Sequence, residues 1–176
     1  MRLEVPRWGR FSGYLSYANQ SGIGHGPITG GLFLGSEAAN RLNDTNEFAV
    51  SQDQRNTARM RVRFQAPRRV WLAAEEEYGS GLPADIGDTD PTLLLAQYGA
   101  VILDRVNLER RRVRPNLFVD VAAGAELYRK ERRTIEFQIQ AENVNNRVNV
   151  INFASVFSGT AVAPPRSVSA HLQLTY

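Results

Sequence analysis

The sequence has 176 residues, of which 43% are hydrophobic and 22% are charged, values that are ordinary for one globular domain. It contains no cysteine, which excludes thiolate catalysis, disulfides and cysteine-ligated metal. A formal net charge of +3 indicates solubility rather than a nucleic-acid partner, and no segment has the length and apolar content of a membrane helix or a signal peptide.

Short segments of alternating apolar and polar residues predict β-strands along the whole chain, because successive side chains of a strand point to opposite faces of a sheet. In chain order the predicted strands lie in "RLEVP", "RFSGYLSYAN", "NTARMRVRF", "VWLAAEEEY", "LFVDVAAGAELY", "TIEFQIQAEN" and "RSVSAHLQLTY". The spacing predicts an all-β fold, an antiparallel up-and-down meander of about seven strands.

The connections between these strands alternate in length. Short ones are predicted near Trp8, Pro67 and Glu131, and long ones cover residues 20–54, 79–115 and 144–165. Loops of that length are uncommon in a compact soluble domain, whereas membrane barrels have short turns on one side and long loops on the other. The alternation therefore favours a transmembrane β-barrel.

The second long connection contains the one helix that we predict. Asp90 is a suitable N-cap and Pro91 a suitable first helical residue. The pattern predicts a short helix over residues 92–103, packed over the barrel mouth or the neighbouring loops.

The two faces of the predicted strands differ in chemistry. In a soluble sandwich the apolar face forms the core, and in an outer-membrane barrel it contacts lipid while the polar face lines the lumen. The residues predicted to face the lumen are Arg59, Arg61, Arg63, Glu136, Gln138, Gln140 and His171. Glu76 falls on the apolar face, and we expect it at the membrane rim rather than at a bulge.

No motif predicts catalysis, so we expect neither an enzyme nor a cofactor. His25 and His171 are the only histidines, and no serine or carboxylate lies at a motif spacing from either. Asp85, Asp88 and Asp90 offer oxygen ligands for calcium, but they lack the EF-hand spacing, which favours a solvated loop. The segment "ERRRVR" predicts a basic rim, with lipid phosphate as an alternative partner.

Two long segments carry a resemblance to a known family. "DQRNTARMRVRFQAPRRVWLAAEEEYGSGLP" and the sequence from "FVDVAAGAELY" to the end resemble the C-terminal barrel of TonB-dependent outer-membrane receptors. In the first, strand, tight turn, strand and an "SG-P" loop follow in the family's order. In the second, "AENVNNR" stands where the family has an "xNLxDR" element. The resemblance implies that residues 1–176 are the C-terminal portion of such a barrel.

The resemblance implies a transporter in the bacterial outer membrane that takes up a scarce nutrient of the metal-chelate, vitamin or glycan class. Its partners would be outer-membrane lipid, the barrel-assembly machinery, TonB through a plug domain, and a small-molecule substrate. Leu172, Leu174 and Tyr176 resemble the alternating, aromatic-ended strand that serves the family as an assembly signal.

Family barrels have roughly 22 strands, so we expect a fragment without the plug domain, TonB box and signal peptide. The alternative is a self-contained small β-barrel or sheet that binds one ligand.

Overall fold

The computed structural model describes residues 1–25, 47–50, 52–84, 86–87, 89–155 and 159–176. The described strands, in chain order, are β1 (Arg2–Trp8), β2 (Phe11–Asn19), β3 (Ile23–His25), β4 (Glu47–Ala49), β5 (Asn56–Gln65), β6 (Val70–Gly79), β7 (Val106–Asn107), β8 (Arg112–Val113), β9 (Asn116–Lys130), β10 (Arg133–Glu142), β11 (Val150–Ser155), β12 (Gly159–Val162) and β13 (Ser167–Thr175). Seven of them form one sheet in the order β1-β2-β5-β6-β9-β10-β13. All pairs in this sheet are antiparallel, which confirms the predicted all-β meander.

The three predicted tight connections are confirmed. β1 and β2 are joined through Gly9, β5 and β6 through a 3-10 helix at Pro67–Arg69, and β9 and β10 through Glu131. Gly9, Arg68 and Glu131 have φ values of 61°, 61° and 53°, in the left-handed region that tight turns use. Because the strands are antiparallel, these connections share one end of the sheet, which we call the turn end. The long connections leave the sheet at the opposite end, the loop end.

The predicted helix is present in two pieces, α1 (Pro91–Tyr98) and α2 (Ala100–Leu103). The Asp90 carboxylate accepts a 2.8 Å hydrogen bond from the Thr92 backbone N–H, as expected of an N-cap. Gly99, with φ of 77°, interrupts the segment. The predicted helical segment is thus confirmed, but its prediction as one continuous helix over residues 92–103 is wrong, because the left-handed glycine redirects the backbone.

The register shows where the alternation holds and where it breaks. Pairing of β6 with both neighbours is uninterrupted, so Glu76 lies on the apolar face opposite Met60 and Val119, near the loop end. A bulge at Glu76 is thus excluded. Irregularities lie elsewhere in the sheet. In β9, Leu127 is an extra residue and interrupts the predicted alternation, and in β1 the register shifts between Val5 and Trp8.

The buried apolar core lies outside the large sheet. Its described members are Ala84, Ile86, Leu94, Val106, Val113, Val150 and Phe153. All of them belong to the second and third long connections. Tyr98 packs against Phe153, with their ring centroids 4.7 Å apart. The second and third long connections therefore pack on one another at the loop end.

The apolar face of the large sheet is exposed. Paired residues share a face, so the row Val62–Ala74–Val121–Ala141–Val168 crosses five strands without a polar side chain. Leu172 and Leu174 are each 62% exposed on this face. Among the described residues, no closed core forms around it. β1 and β13 each pair on one side only, so the sheet is open.

Candidate functional site

The predicted polar residues lie on the face opposite the apolar rows, which we call the polar face. One row runs from Arg63 on β5 through Ala73 and Ala122 to Gln140 on β10. On the next strand, His171 of β13 pairs with Gln138. The structure thus places the arginines and the β10–β13 residues on one face, separated by β6 and β9.

The arginines of β5 are neutralised in part by β6. Arg59 lies 2.9 Å from Glu77, and Arg61 lies 3.9 Å from Glu75. Arg63 instead lies over the Trp71 ring, 4.4 Å from its centroid. Since the paired side chains are about half exposed, each ion pair contributes roughly 0.2–1 kcal/mol. The arginine row is therefore an ordered, hydrated wall rather than a buried cluster.

A first cavity, the turn-end cavity, has a volume of about 340 Å³. Its wall includes Trp71, Gln138 and His171. Trp71 lies directly over Gly124, where an added Cβ would meet the indole at 2.5 Å. Glu126 joins Arg69 and Arg129 here, the latter at 2.6 Å. The lining contains both basic and acidic groups, so this cavity has no single preference for ligand charge. Its lining residues are Arg63, Gln65, Arg69, Trp71, Ala125, Glu126, Arg129, Glu136, Phe137, Gln138, His171 and Gln173.

A second cavity, the loop-end cavity, also has a volume of about 340 Å³. Its lining residues are Gln54, Glu75, Glu77, Gly79, Leu82, Asn116, Phe118, Asp120 and Ile151. A Cβ added at Gly79 would meet Gln54 Nε2 at 1.7 Å, so glycine leaves room for that amide. Asn116 is only 8% exposed and donates a 2.6 Å hydrogen bond to the Val150 carbonyl. The sequence carried no signal for Asn116, because it lies just before the predicted strand that begins at Leu117 and belongs to no motif.

Asparagines from "AENVNNR" and the residues after it fasten the third long connection to β9. Asn149 is fully buried; its Oδ1 accepts from the Leu117 N–H at 3.1 Å and its Nδ2 donates to the Leu117 carbonyl at 3.0 Å. The backbone N–H of Asn143 donates to the Asp120 carboxylate at 2.8 Å. The Asn143 side chain also donates to the Arg147 carbonyl at 3.0 Å. These bonds hold one wall of the loop-end cavity.

Asp53 fastens the first and second long connections together. Its buried carboxylate accepts from the Gly22 N–H at 2.9 Å and from Arg55 Nε at 3.1 Å, and it also bonds Arg112. Burial raises the pKa of Asp53, but the hydrogen bonds from Gly22, Arg55 and Arg112 outweigh it and hold the pKa below its ordinary value. Arg112, predicted as part of a basic rim, therefore has a structural partner.

A second group of arginines lies close together at the loop end. Arg105 and Arg147 both donate to the Pro115 carbonyl, at 2.7 and 3.0 Å. Burial lowers the pKa of Arg105, and the charges of Arg147 and Arg114 lower it further. Two guanidinium groups thus share a single carbonyl, and the charge of Arg114 lies close enough to Arg105 to act on it.

The calcium prediction falls mostly outside the described residues. Asp85 and Asp88 are not among them, and Asp90 caps α1. Within the described part of the chain, no three histidines, cysteines or carboxylates are grouped to hold a metal ion. The side chain of His25 also lies outside the described residues.

The residues of the expected assembly signal lie at the open edge of the sheet. Leu172 and Leu174 are on the exposed apolar face of β13, and Tyr176, after its last residue, is fully exposed. β13 ends at the turn end, because Thr175 pairs with Thr134.

Fold and site together define an all-β protein with an open antiparallel meander that is apolar on one face and polar on the other. Searches of protein-family models, of curated proteins and of solved structures each find no match to this chain. In the described ranges, no helix has the length and apolar content needed to cross a membrane. Any assignment of function therefore depends on the residues themselves.

Proposed function

We propose that this chain forms part of the wall of a TonB-dependent outer-membrane transporter and is not an enzyme. The observation that carries the proposal is the exposed apolar face, which continues across the large sheet while the buried core lies in the long connections. Soluble monomers rarely expose apolar patches larger than a few hundred Å². Lipid is the environment in which such a face is stable, and the polar face then lines a water-filled lumen.

The aromatic residues of the apolar face support a membrane orientation. Trp8, Tyr128 and Tyr176 lie at the turn end, and Tyr17 and Tyr78 lie at the loop end. Aromatic side chains are favoured at both membrane interfaces. Along β2, the six-residue step from residue 11 to residue 17 spans about 20 Å at roughly 3.4 Å per residue. That length is close to the apolar band of roughly 25 Å that barrels present to lipid.

The open edges require partner strands. In hydrocarbon every unpaired backbone N–H or C=O costs several kcal/mol, so β1 and β13 must pair with further strands in a closed barrel. The proposed partners are outer-membrane lipid, the barrel-assembly machinery through Leu172, Leu174 and Tyr176, and TonB through a plug domain. The proposed cargo is a scarce nutrient of the metal-chelate, vitamin or glycan class.

Arginine substitutions on adjacent residues of β9 test the proposal. Val121 lies on the apolar face near mid-height and Ala122 on the polar face. An arginine facing lipid near the midplane costs about 2–4 kcal/mol, whereas one facing the lumen stays hydrated. We expect Val121→Arg to reduce the vesicle-embedded fraction, measured by flotation after an alkaline wash, and Ala122→Arg to leave it near the parent level. Equal effects of both substitutions would contradict the proposal.

A second candidate is a small sheet protein that binds one ligand in water. The two cavities on the polar face favour it, since each falls in the lower part of the range of roughly 300–1,000 Å³ for ligand pockets. It requires a soluble monomer that unfolds cooperatively without lipid. Analytical ultracentrifugation and thermal melting in detergent-free buffer distinguish the two candidates, because the transporter wall should aggregate there.

A further inference from the structure

We infer that the loop-end cavity binds a small organic ammonium ion. Its described lining includes the carboxylates of Glu75, Glu77 and Asp120 and contains no arginine, lysine or histidine. The turn-end cavity of similar size contains several arginines. Both cavities lie on the polar face, so the difference in charge is specific to the loop end.

An unpaired acceptor in the wall points independently to a ligand. Asn116 is more than nine-tenths buried, and its amide nitrogen is fixed on the Val150 carbonyl. Its Oδ1 is buried and has no hydrogen-bond partner among the described residues. Buried polar atoms in native proteins are nearly always paired, so this oxygen requires a donor. An ammonium group carries only donors.

The charges of the wall are unevenly compensated. Glu77 is paired with Arg59 at 2.9 Å, and Glu75 is more loosely paired with Arg61 at 3.9 Å. Asp120 accepts a backbone N–H from Asn143 at 2.8 Å and has no cationic side chain as partner within the described structure. One carboxylate therefore remains to attract a cation.

The other lining groups decide what kind of cation fits. The described residues include no group of carboxylates arranged for a metal ion. Phe118 adds an aromatic ring to the wall, and aromatic faces attract organic cations. A volume of about 340 Å³ suits a small ligand. A compact ammonium compound matches the charge, the donors and the ring together.

The inference extends the proposed function, because in that proposal the polar face lines the lumen. Three four-carbon probes of matched length test it: butane-1,4-diamine, butane-1,4-diol and succinate. Binding to the 176-residue chain in detergent micelles is measured by isothermal titration calorimetry. We expect the diamine to bind at least about tenfold more tightly than the diol, as a charge-assisted hydrogen bond predicts, and succinate not to bind. No diamine binding, or equal binding of diol and diamine, would overturn the inference.

Matched variants locate the binding. Asp120→Asn removes the charge and retains an oxygen that can accept from Asn143, and we expect it to weaken diamine binding about tenfold. Glu4→Gln removes a carboxylate from the same face on β1, where Glu4 is paired with Arg2 at 2.5 Å, and should bind like the parent. Equal affinities of the two variants would refute the assignment to this cavity. Vesicle flotation of Val121→Arg is independent of the diamine, so failure of the membrane proposal and failure of the ligand inference are separable.

Discussion

Replacing Phe153 by alanine should open the long connections while leaving the large sheet intact. Phe153 is 0% exposed, packs on Tyr98, and belongs to a buried cluster formed by the second and third connections. Phe→Ala substitutions at such sites cost about 3–5 kcal/mol, because the apolar contacts are lost and a cavity remains. Since each 1.4 kcal/mol is a factor of ten, amides protected by this cluster should exchange roughly 10² to 4 × 10³ times faster.

Native-state hydrogen exchange by mass spectrometry, on protein in detergent micelles, measures this effect. Peptides containing Leu94 and Val113 should exchange faster in Phe153→Ala, and peptides from β10 should not change. Val101→Ala is the matched control, because Val101 lies in the second long connection, is 66% exposed and is outside the buried cluster, so its truncation should not speed exchange. Equal acceleration in β10 would show that the cluster and the sheet form one cooperative unit and would refute the reasoning.

Further predictions concern the polar anchors and the last residue. The pKa of Asp53 in the folded protein is below the unfolded value of about 3.9. The ionised carboxylate should therefore stabilise the fold above that pH, and this contribution should be lost as the pH falls through the folded pKa. Asp53→Asn should abolish this pH dependence of stability, measured by hydrogen exchange at a series of pH values. Asn149→Ala should cost about 1–3 kcal/mol and speed exchange at Leu117, because both backbone partners become unpaired. Under the proposed function, deleting Tyr176 should reduce outer-membrane assembly, measured as heat-modifiable protein, and unchanged assembly would contradict its proposed role as a signal.

The sheet could be predicted from sequence because its signals are local. Alternation in "TIEFQIQAEN" defines the faces of β10, and the pairing of Phe137 with Leu172 and of Gln138 with His171 confirms the predicted faces. Turn positions followed from short gaps between alternating segments. Glu76 lies on the apolar face near the loop end, as expected from its place in the alternation.

The loop end could not be predicted in the same way, because its contacts join residues distant in sequence. Asp53 meets Arg112, and Asn116 meets Val150. Neither pair has a spacing that a local pattern detects. The alternation pattern also did not predict the bulge at Leu127 or the helix break at Gly99. The local sequence is compatible with both a regular and an irregular backbone at these positions.

The most direct test of the central claim compares the environments of two adjacent side chains on β9. The chain contains no cysteine, so Val121→Cys and Ala122→Cys each introduce a single labelling site. A fluorophore on each site is exposed in vesicles to a lipid-bound nitroxide and, separately, to aqueous iodide. The account predicts that nitroxide quenches the label at position 121 and iodide quenches the label at position 122. Quenching of both labels by iodide alone would contradict a membrane-facing sheet.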